Sequence, residues 1–402
     1  MKKKLVIKCF PVVLALFFMG CGQGDVSALG TWGEEEAPET EEAGAPKPEE
    51  EALELEAGMP DDEEAPDIRH TYLEAYGGKV FYKNVDGMAY FEGDIILGTT
   101  EEMEEIKAEV EHLEAGGLEP RAAYSMVSKG KPWPNNTIYY TIASDFPNQK
   151  RITDAIKHIH DKTNLRLVAR TNTNQTNYVT FTTARKNCSS SVGMQWKQQF
   201  ITLASGCDWV ATVHEIGHAA GLWHEQSRSD RDKFITIHWE NIEKYEEHNF
   251  YQKTGKDLGP YDYGSIMHYG PKDFSKNGKA TITPKDSSAV IGQAKGLSKG
   301  DIDGLNFLYP KPPVCRFVLK PSLIPGEGGT YTFLASCSGL PTAYAWTVNG
   351  SLQPSKGNTL SYKFPTHSSF KVKTHTIVVT ATNNGGSGKA TAAVSQTNAR
   401  AN

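Results

Sequence analysis

The sequence predicts an α+β fold followed by an all-β sandwich, in a chain of 402 residues that is long enough for two or three domains. Residues 122–310 alternate β-branched and aromatic runs with helical patterns, which is typical of an α+β region. Residues 314–402 contain short alternating runs separated by turn signals such as Asn349-Gly350, which is typical of a sandwich. The residues before 122 differ from both regions in composition.

Residues 1–21 have the pattern of an export signal, with a basic start and an apolar run from Phe10 to Met19. The run is too short to span a bilayer. Small residues beside Cys21 resemble a bacterial lipoprotein processing site, although Phe18 stands where Leu is usual. This predicts a lipidated Cys21 and a bacterial cell-surface or outer-membrane location, with plain secretion as the alternative.

Residues 22–68 predict a disordered acidic tether. From Glu34 to Asp67 there are 16 acidic residues and one lysine, so the segment lacks the apolar surface needed to fold. Residues 1–121 hold 29 acids and 10 bases, whereas residues 122–402 hold 19 acids and 32 bases. A solvated stalk and an electrostatic screen for the basic remainder both fit this asymmetry.

Residues 69–121 regain the pattern of an ordered segment. Thr100 is placed to cap a helix that ends at Gly116 and Gly117. One face of this helix is apolar and consists of Met103, Ile106, Val110 and Leu113. Upstream, Phe91–Ile95 indicates a turn beside a strand.

The elements of residues 122–310 follow from local pattern. Strands are predicted at Thr137–Ile142, Tyr178–Thr183 and Phe200–Leu203, and a helix at Asp154–Asn164. A closing helix with Ser298 as its cap precedes a stiff proline-rich linker at 311–313.

In the predicted sandwich of residues 314–402, Trp346 is the predicted centre of the core. The strand runs there are Thr330–Ala335, Ala343–Val348, Ser361–Phe364, Thr374–Thr382 and Lys389–Val394.

Four cysteines are left once Cys9 and Cys21 of the signal are set aside. In an exported chain these four allow three disulfide pairings. Proximity in the sequence favours Cys188 with Cys207 and Cys315 with Cys337.

The stretch from His214 to Asp232 carries the chemistry. On a helix, His214 and His218 project from one face and can hold one Zn²⁺. Gly221 lets the chain leave the helix and bring His224 to the same ion as a third ligand. Three imidazoles leave one coordination position for water.

Glu215 follows the first histidine and faces a different direction, so it is free to act as a general base. A zinc ion lowers the pKa of bound water from 15.7 to about 7. The combination predicts peptide hydrolysis without a covalent intermediate.

Together with Glu225, the segment Ser227–Asp232 and the turn Tyr263–Tyr269, this stretch resembles the astacin family of metzincin endopeptidases. The resemblance covers Ala122 to Tyr309. It implies a two-lobed catalytic domain with the cleft between the lobes, and a twisted mixed sheet and zinc helix in the upper lobe. It also implies proteins or peptides as partners, and no nucleic acid.

The resemblance assigns further roles. Met267 would form an apolar floor beneath the ion. Tyr269 would be a zinc ligand at rest and a hydrogen-bond donor to the tetrahedral intermediate. Asp94 would bind the zinc as the latch of a zymogen.

Activation would require cleavage of the chain between Arg121 and Ala122 by a trypsin-like protease, with Lys129 and Lys131 as rival sites. The new ammonium group at Ala122 would then pair with Glu225. The family's second disulfide has no counterpart here, because Asn164 occupies its first position.

The sequence therefore predicts a secreted or lipid-anchored zinc endopeptidase made as a zymogen. Two alternatives differ in class. One is a surface adhesion or binding protein whose protease is vestigial, and the other is an enzyme that hydrolyses a non-peptide amide.

Overall fold

The computed structural model describes residues 65–73, 78–116, 131–253, 257–369 and 371–398. The export signal with Cys21, most of the acidic tether, and the cleavage residues Arg121 and Ala122 lie outside these ranges. Among the described residues, no helix is long and apolar enough to cross a membrane.

The helices within the described ranges are α1 (Thr100–Ala115), α2 (Lys150–Lys162), α3 (Trp209–Ala219) and α4 (Lys299–Leu308). Up to residue 284 the strands are β1 (Ile68–Leu73), β2 (Gly78–Val85), β3 (Met88–Phe91), β4 (Ile95–Thr99), β5 (Thr137–Ile142), β6 (Arg166–Ala169), β7 (Tyr178–Thr183), β8 (Ser189–Ser190), β9 (Gln198–Leu203), β10 (Ile235–Ile237) and β11 (Ile282–Pro284). The remaining strands are β12 (Cys315–Leu319), β13 (Leu323–Pro325), β14 (Gly329–Cys337), β15 (Ala343–Val348), β16 (Ser351–Gln353), β17 (Thr359–Phe364), β18 (Lys373–Asn383) and β19 (Gly386–Thr397).

A nine-stranded mixed sheet runs through the first half of the described chain, in the order β1-β2-β3-β4-β8-β9-β7-β5-β6. The N-terminal segment (residues 68–116) supplies β1 to β4, and the central region (residues 131–310) supplies the other five. The two parts meet where β4 pairs with β8 in parallel through Ile95 and Ser190. The sheet thus extends from one part into the other.

The main core of the central region lies between this sheet and helices α2 and α3. Helix α2 turns its apolar face inward, with Ile152, Ala155 and Ile159 fully buried. They pack with Phe181 and Ile201 from the opposing sheet face. Burial of each large apolar side chain contributes roughly 1.5–3 kcal/mol, so this core fixes α2 firmly against the sheet.

Several predicted boundaries differ from the structure. Helix α2 spans Lys150–Lys162 instead of Asp154–Asn164, and β9 begins at Gln198 instead of Phe200. The cap of α1 is Thr99 instead of Thr100, because Thr99 Oγ1 accepts from Glu102 N at 3.1 Å while the Glu102 carboxylate accepts from Thr99 N at 3.1 Å. Thr100 instead donates its hydroxyl to Asn84 Oδ1 at 2.8 Å.

The C-terminal region (residues 314–398) is all β. A three-stranded sheet (β12-β14-β17) and a five-stranded sheet (β13-β19-β18-β15-β16) share one core. Trp346 lies fully buried in that core and donates its indole N–H to Gly357 O at 3.0 Å. Each predicted strand run falls within a strand, whereas β12, β13 and β16 were not predicted.

Candidate metal centre

Helix α3 positions the first two histidines. Its N-cap is Asp208, whose carboxylate accepts from the backbone N–H groups of Val210 and Ala211 at 2.8 and 2.9 Å. The helix packs closely on the turn below, because a Cβ added to Gly217 would lie 2.9 Å from the sulfur of Met267. Gly221 has φ +105°, a conformation that favours glycine, and it turns the chain toward His224.

The three histidine rings face one another around the Asp94 carboxylate. Their ring centroids lie 4.6 Å apart for His214 and His218, and 4.7 Å apart for His218 and His224. The Nε2 atoms of His214, His218 and His224 lie 3.2, 3.6 and 3.3 Å from oxygens of Asp94. The four donor atoms all lie within 4.8 Å of one another.

This donor set fits a zinc ion. Within the described ranges, Asp94 Oδ1, His218 Nε2 and His224 Nε2 are buried and have no hydrogen-bond partner. Buried polar atoms without partners are costly, and a cation among them would remove that cost. Three imidazole nitrogens and a carboxylate oxygen are ligands that zinc commonly takes.

The other ring nitrogens are oriented by acceptors outside the centre. The Nδ1–H groups of His214 and His218 donate to Ile266 O and Leu222 O, at 2.8 and 2.9 Å. That of His224 donates to the Glu92 carboxylate at 2.8 Å. Such contacts fix each tautomer, so that Nε2 is left to bind a metal.

Burial and charge act on the acidic groups in opposite directions. Burial raises the pKa of Glu215 well above its ordinary value, and the nearby Asp94 adds to this effect. Burial also opposes ionisation of Asp94, but the nearby His224 and the contact of His214 Nε2 with Asp94 Oδ2 at 3.2 Å hold its pKa well below the usual range. Asp94 is therefore the carboxylate that carries charge in this state.

Met267 and Tyr269 lie below the histidines. Met267 is buried beneath α3. The Tyr269 ring lies 4.8 Å from that of His224, and its hydroxyl donates to Glu92 O at 2.6 Å. In this state the phenol therefore binds the N-terminal segment, and its predicted role as a zinc ligand stays a prediction.

Three residues, Glu92, Ser227 and Lys253, form contacts at this site that the sequence does not predict. The Glu92 side chain is fully buried and accepts from Ser227 Oγ at 2.5 Å and from His224. The same carboxylate forms an ion pair with the buried Lys253. No local motif links Glu92 to Ser227 or Lys253, because they lie 135 or more positions away along the chain.

A cleft with a cavity volume of about 760 Å³ runs beside the histidines and includes Glu215 in its wall. The turn carrying Asp94 enters this cleft. Gly93 in that turn has φ +79°, and an added Cβ would lie 2.8 Å from the Phe274 ring. Only glycine fits both constraints, so the turn is closely held.

The remaining predicted site residues are placed as follows. Glu225 accepts from Asp262 N at 2.8 Å, and burial raises the pKa of its carboxyl to about 7. Disulfides join Cys188 to Cys207 and Cys315 to Cys337. The predicted partner of Glu225, Ala122, lies outside the described residues.

Comparisons with known proteins agree with this geometry. The family model described as Astacin, a peptidase family, matches residues 125–310. Zinc metalloproteinase nas-4 of Caenorhabditis elegans is 38% identical over 234 residues, which cover 56% of this chain and 70% of the relative. Protein SpAN of Strongylocentrotus purpuratus is 36% identical over 233 residues, which cover 54% of this chain but only 37% of the relative.

A solved structure also matches. High choriolytic enzyme 1, a hatching enzyme zinc-protease from Oryzias latipes, is 34% identical, with a TM-score of 0.41. The match covers 45% of this chain and 94% of that one.

These comparisons correct the predicted location. The relatives nas-4 and SpAN come from a nematode and a sea urchin. They point to a eukaryotic enzyme, and the prediction of a bacterial lipoprotein anchored through Cys21 is wrong. The physical reason is that a basic, apolar and small-residue pattern drives export in any cell and does not identify the organism.

Proposed function

Since the chain belongs to the astacin family of zinc metallopeptidases, we propose that the described structure is the inactive precursor of a secreted endopeptidase. The enzyme hydrolyses peptide bonds in proteins or peptides with zinc as its cofactor. Residues 69–121 are its propeptide, residues 122–310 its two-lobed catalytic domain and residues 314–402 an appended β-sandwich. The convergence of three histidine Nε2 atoms on Asp94 supports this proposal most directly.

In the mature enzyme, His214, His218 and His224 would hold the ion. Bound zinc supplies Lewis acidity, which polarises the scissile carbonyl and makes water nucleophilic near neutral pH. Glu215 takes the proton of the attacking water, since its buried Oε2 has no hydrogen-bond partner within the described chain. Tyr269 donates a hydrogen bond to the developing oxyanion once Glu92 O has left its hydroxyl.

In the precursor, two carboxylates act as latches. Asp94 occupies the position where water and substrate must enter, between the three imidazoles. Glu92 binds behind the third imidazole and engages Lys253 and Ser227. Both lie on one turn, so removal of the N-terminal segment releases them together.

Cleavage after Arg121 by a trypsin-like protease would start that release. The new ammonium group at Ala122 would move toward Glu225, whose carboxyl is buried beside the third ligand. Lys129 and Lys131 are the rival cleavage points, and mass spectrometry of the mature N-terminus distinguishes the three.

The test is hydrolysis of casein by the trypsin-matured protein, with and without a chelator, alongside measurement of bound zinc. We expect one zinc per chain and hydrolysis that the chelator abolishes. Matured protein that binds zinc but cleaves no protein substrate would instead favour a binding role with a vestigial protease.

A further inference from the structure

Helix α3, which carries His214 and His218, ends in carbonyl groups that side chains from elsewhere cap. The indole Nε1–H of Trp133 donates to Ala219 O at 2.7 Å, and the hydroxyl of Tyr309 donates to Ala220 O at 2.7 Å. Both side chains are fully buried. Because the last carbonyls of a helix lack partners within it, these two donors fix the point where α3 ends.

The end of α3 determines two features of the metal centre. Gly221 N donates to His218 O at 2.7 Å and Leu222 N donates to Gly217 O at 2.9 Å, so the chain turns off the helix tightly. Leu222 O is the acceptor that orients His218. His224 follows two residues later, so its position depends on the same turn.

The C-terminal region holds both capping residues through one side chain. Asn384, at the tip of the β18–β19 hairpin, donates from Nδ2 to Trp133 O at 3.0 Å and to Leu308 O at 3.4 Å. Leu308 immediately precedes Tyr309. The side-chain amide of Asn384 therefore links the backbone of Trp133 to the backbone next to Tyr309.

The backbone of the hairpin approaches the central region just as closely. A Cβ added to Gly385 would collide with Pro310 O. Asn383 Nδ2 donates to Lys311 O in the linker at 2.7 Å. Together with the two bonds of Asn384, these contacts make the junction of the two regions closely packed.

We propose that the C-terminal region braces the metal centre and that Asn384 is a positioning residue. It holds Trp133 and Tyr309 against the last carbonyls of α3, and through them it holds the turn that delivers His224. The inference rests on the proposed function of the histidines as metal ligands.

The test compares Asn384→Asp with the wild type in the full-length chain. Aspartate keeps the shape of the side chain but loses both amide hydrogens. We expect the backbone amides of Gly221 and Leu222 to exchange with deuterium about two- to tenfold faster, the range for one lost net hydrogen bond. Zinc should be released to a chelator with a similar gain in rate, and in the matured enzyme kcat should fall while KM stays the same.

Asn358→Asp is the matched control. Asn358 Nδ2 also donates to a backbone carbonyl, that of Ala335 at 3.1 Å, but within the C-terminal region itself. We expect this variant to destabilise that region without changing exchange at Gly221 or zinc release. If both variants change exchange equally, or if Asn384→Asp changes neither readout, the brace is refuted.

Trp133→Phe tests the contact from its other side. This variant removes the indole N–H and retains most of the apolar ring. It should accelerate exchange at Gly221, and Asn384→Asp should then have a smaller effect than in the wild type, because its route to Ala219 O through the Trp133 indole is already lost and only the route through Tyr309 to Ala220 O remains. Full additivity would contradict the proposed route. Since exchange does not depend on hydrolysis, a protein with the exchange effect but no peptidase activity would reject the proposed function alone.

Discussion

Replacing Glu92 by glutamine in the full-length chain is expected to weaken the latch. The change preserves size but removes the charge that faces Lys253. Burial lowers the pKa of the Lys253 ammonium well below its ordinary value, so the cation depends on the adjacent carboxylate. Removing one partner of a buried ion pair costs about 3–5 kcal/mol. Because Lys253 can release its proton, we expect the lower end, about 3 kcal/mol.

In the proposed mechanism Glu92 leaves its pocket when the N-terminal turn opens, so this cost destabilises only the closed precursor. A cost of about 3 kcal/mol raises the ratio of open to closed molecules on the order of 100-fold. The assay is cleavage of a fluorogenic peptide by the zinc-loaded precursor. All variants also carry Arg121→Ala to prevent activation, and mass spectrometry verifies that the chain stays uncut. We expect activity to rise by that factor.

Glu101→Gln is the control, because Glu101 is exposed on α1 and lies outside the latch. Asp94→Ala is the positive comparison. If Asp94→Ala releases activity while Glu92→Gln stays as inactive as the control, then Glu92 only fills space and the second latch does not exist.

Three further changes test other parts of the site and fold. Glu215→Gln should lower kcat of the matured enzyme by about 10²–10⁴-fold with zinc content unchanged; loss of zinc as well would contradict a purely basic role. Burial lowers the pKa of His248 from 6.5 to about 4, so the unfolded chain binds more protons between these values. The free energy of unfolding should therefore fall as pH drops through that window, by up to about 3 kcal/mol. Urea unfolding of His248→Gln should show a free energy of unfolding that depends less on pH than that of the wild type. Thr99→Ala should destabilise the N-terminal segment by about 1 kcal/mol, measured by exchange of the Glu102 amide, and an unchanged rate would reject Thr99 as the cap.

The parts of the site that the sequence reveals are those with local spacing. His214, Glu215 and His218 lie on one helix, and Gly221 signals the turn to His224, so a single stretch predicts their convergence. Asp94 lies 120 positions before His214, and only the family resemblance predicts that it approaches the histidines. The Glu92 pocket was not predicted, because its partners are brought together by tertiary packing and none of them carries a local signal.

The fold shows the same division. Long alternating runs such as Ala343–Val348 match their strands, because the two-residue period reports burial on one face. β13 and β16 have only three residues each, too few for any periodicity. The contact of Asn384 with Trp133 spans 251 positions. No local pattern distinguishes that asparagine from one in an ordinary turn.

The pairing of β4 with β8 has a consequence for the solubility of the processed enzyme. If the N-terminal segment is removed as proposed, the strand left at the edge of the sheet is Ser189–Ser190, which is only two residues long and polar. A short polar edge strand presents few backbone hydrogen-bonding groups to a strand of another chain, so aggregation through edge-to-edge strand pairing is disfavoured. The discarded segment retains a cluster of its own around Tyr82, Phe91 and Met103, which lets it separate as a compact piece.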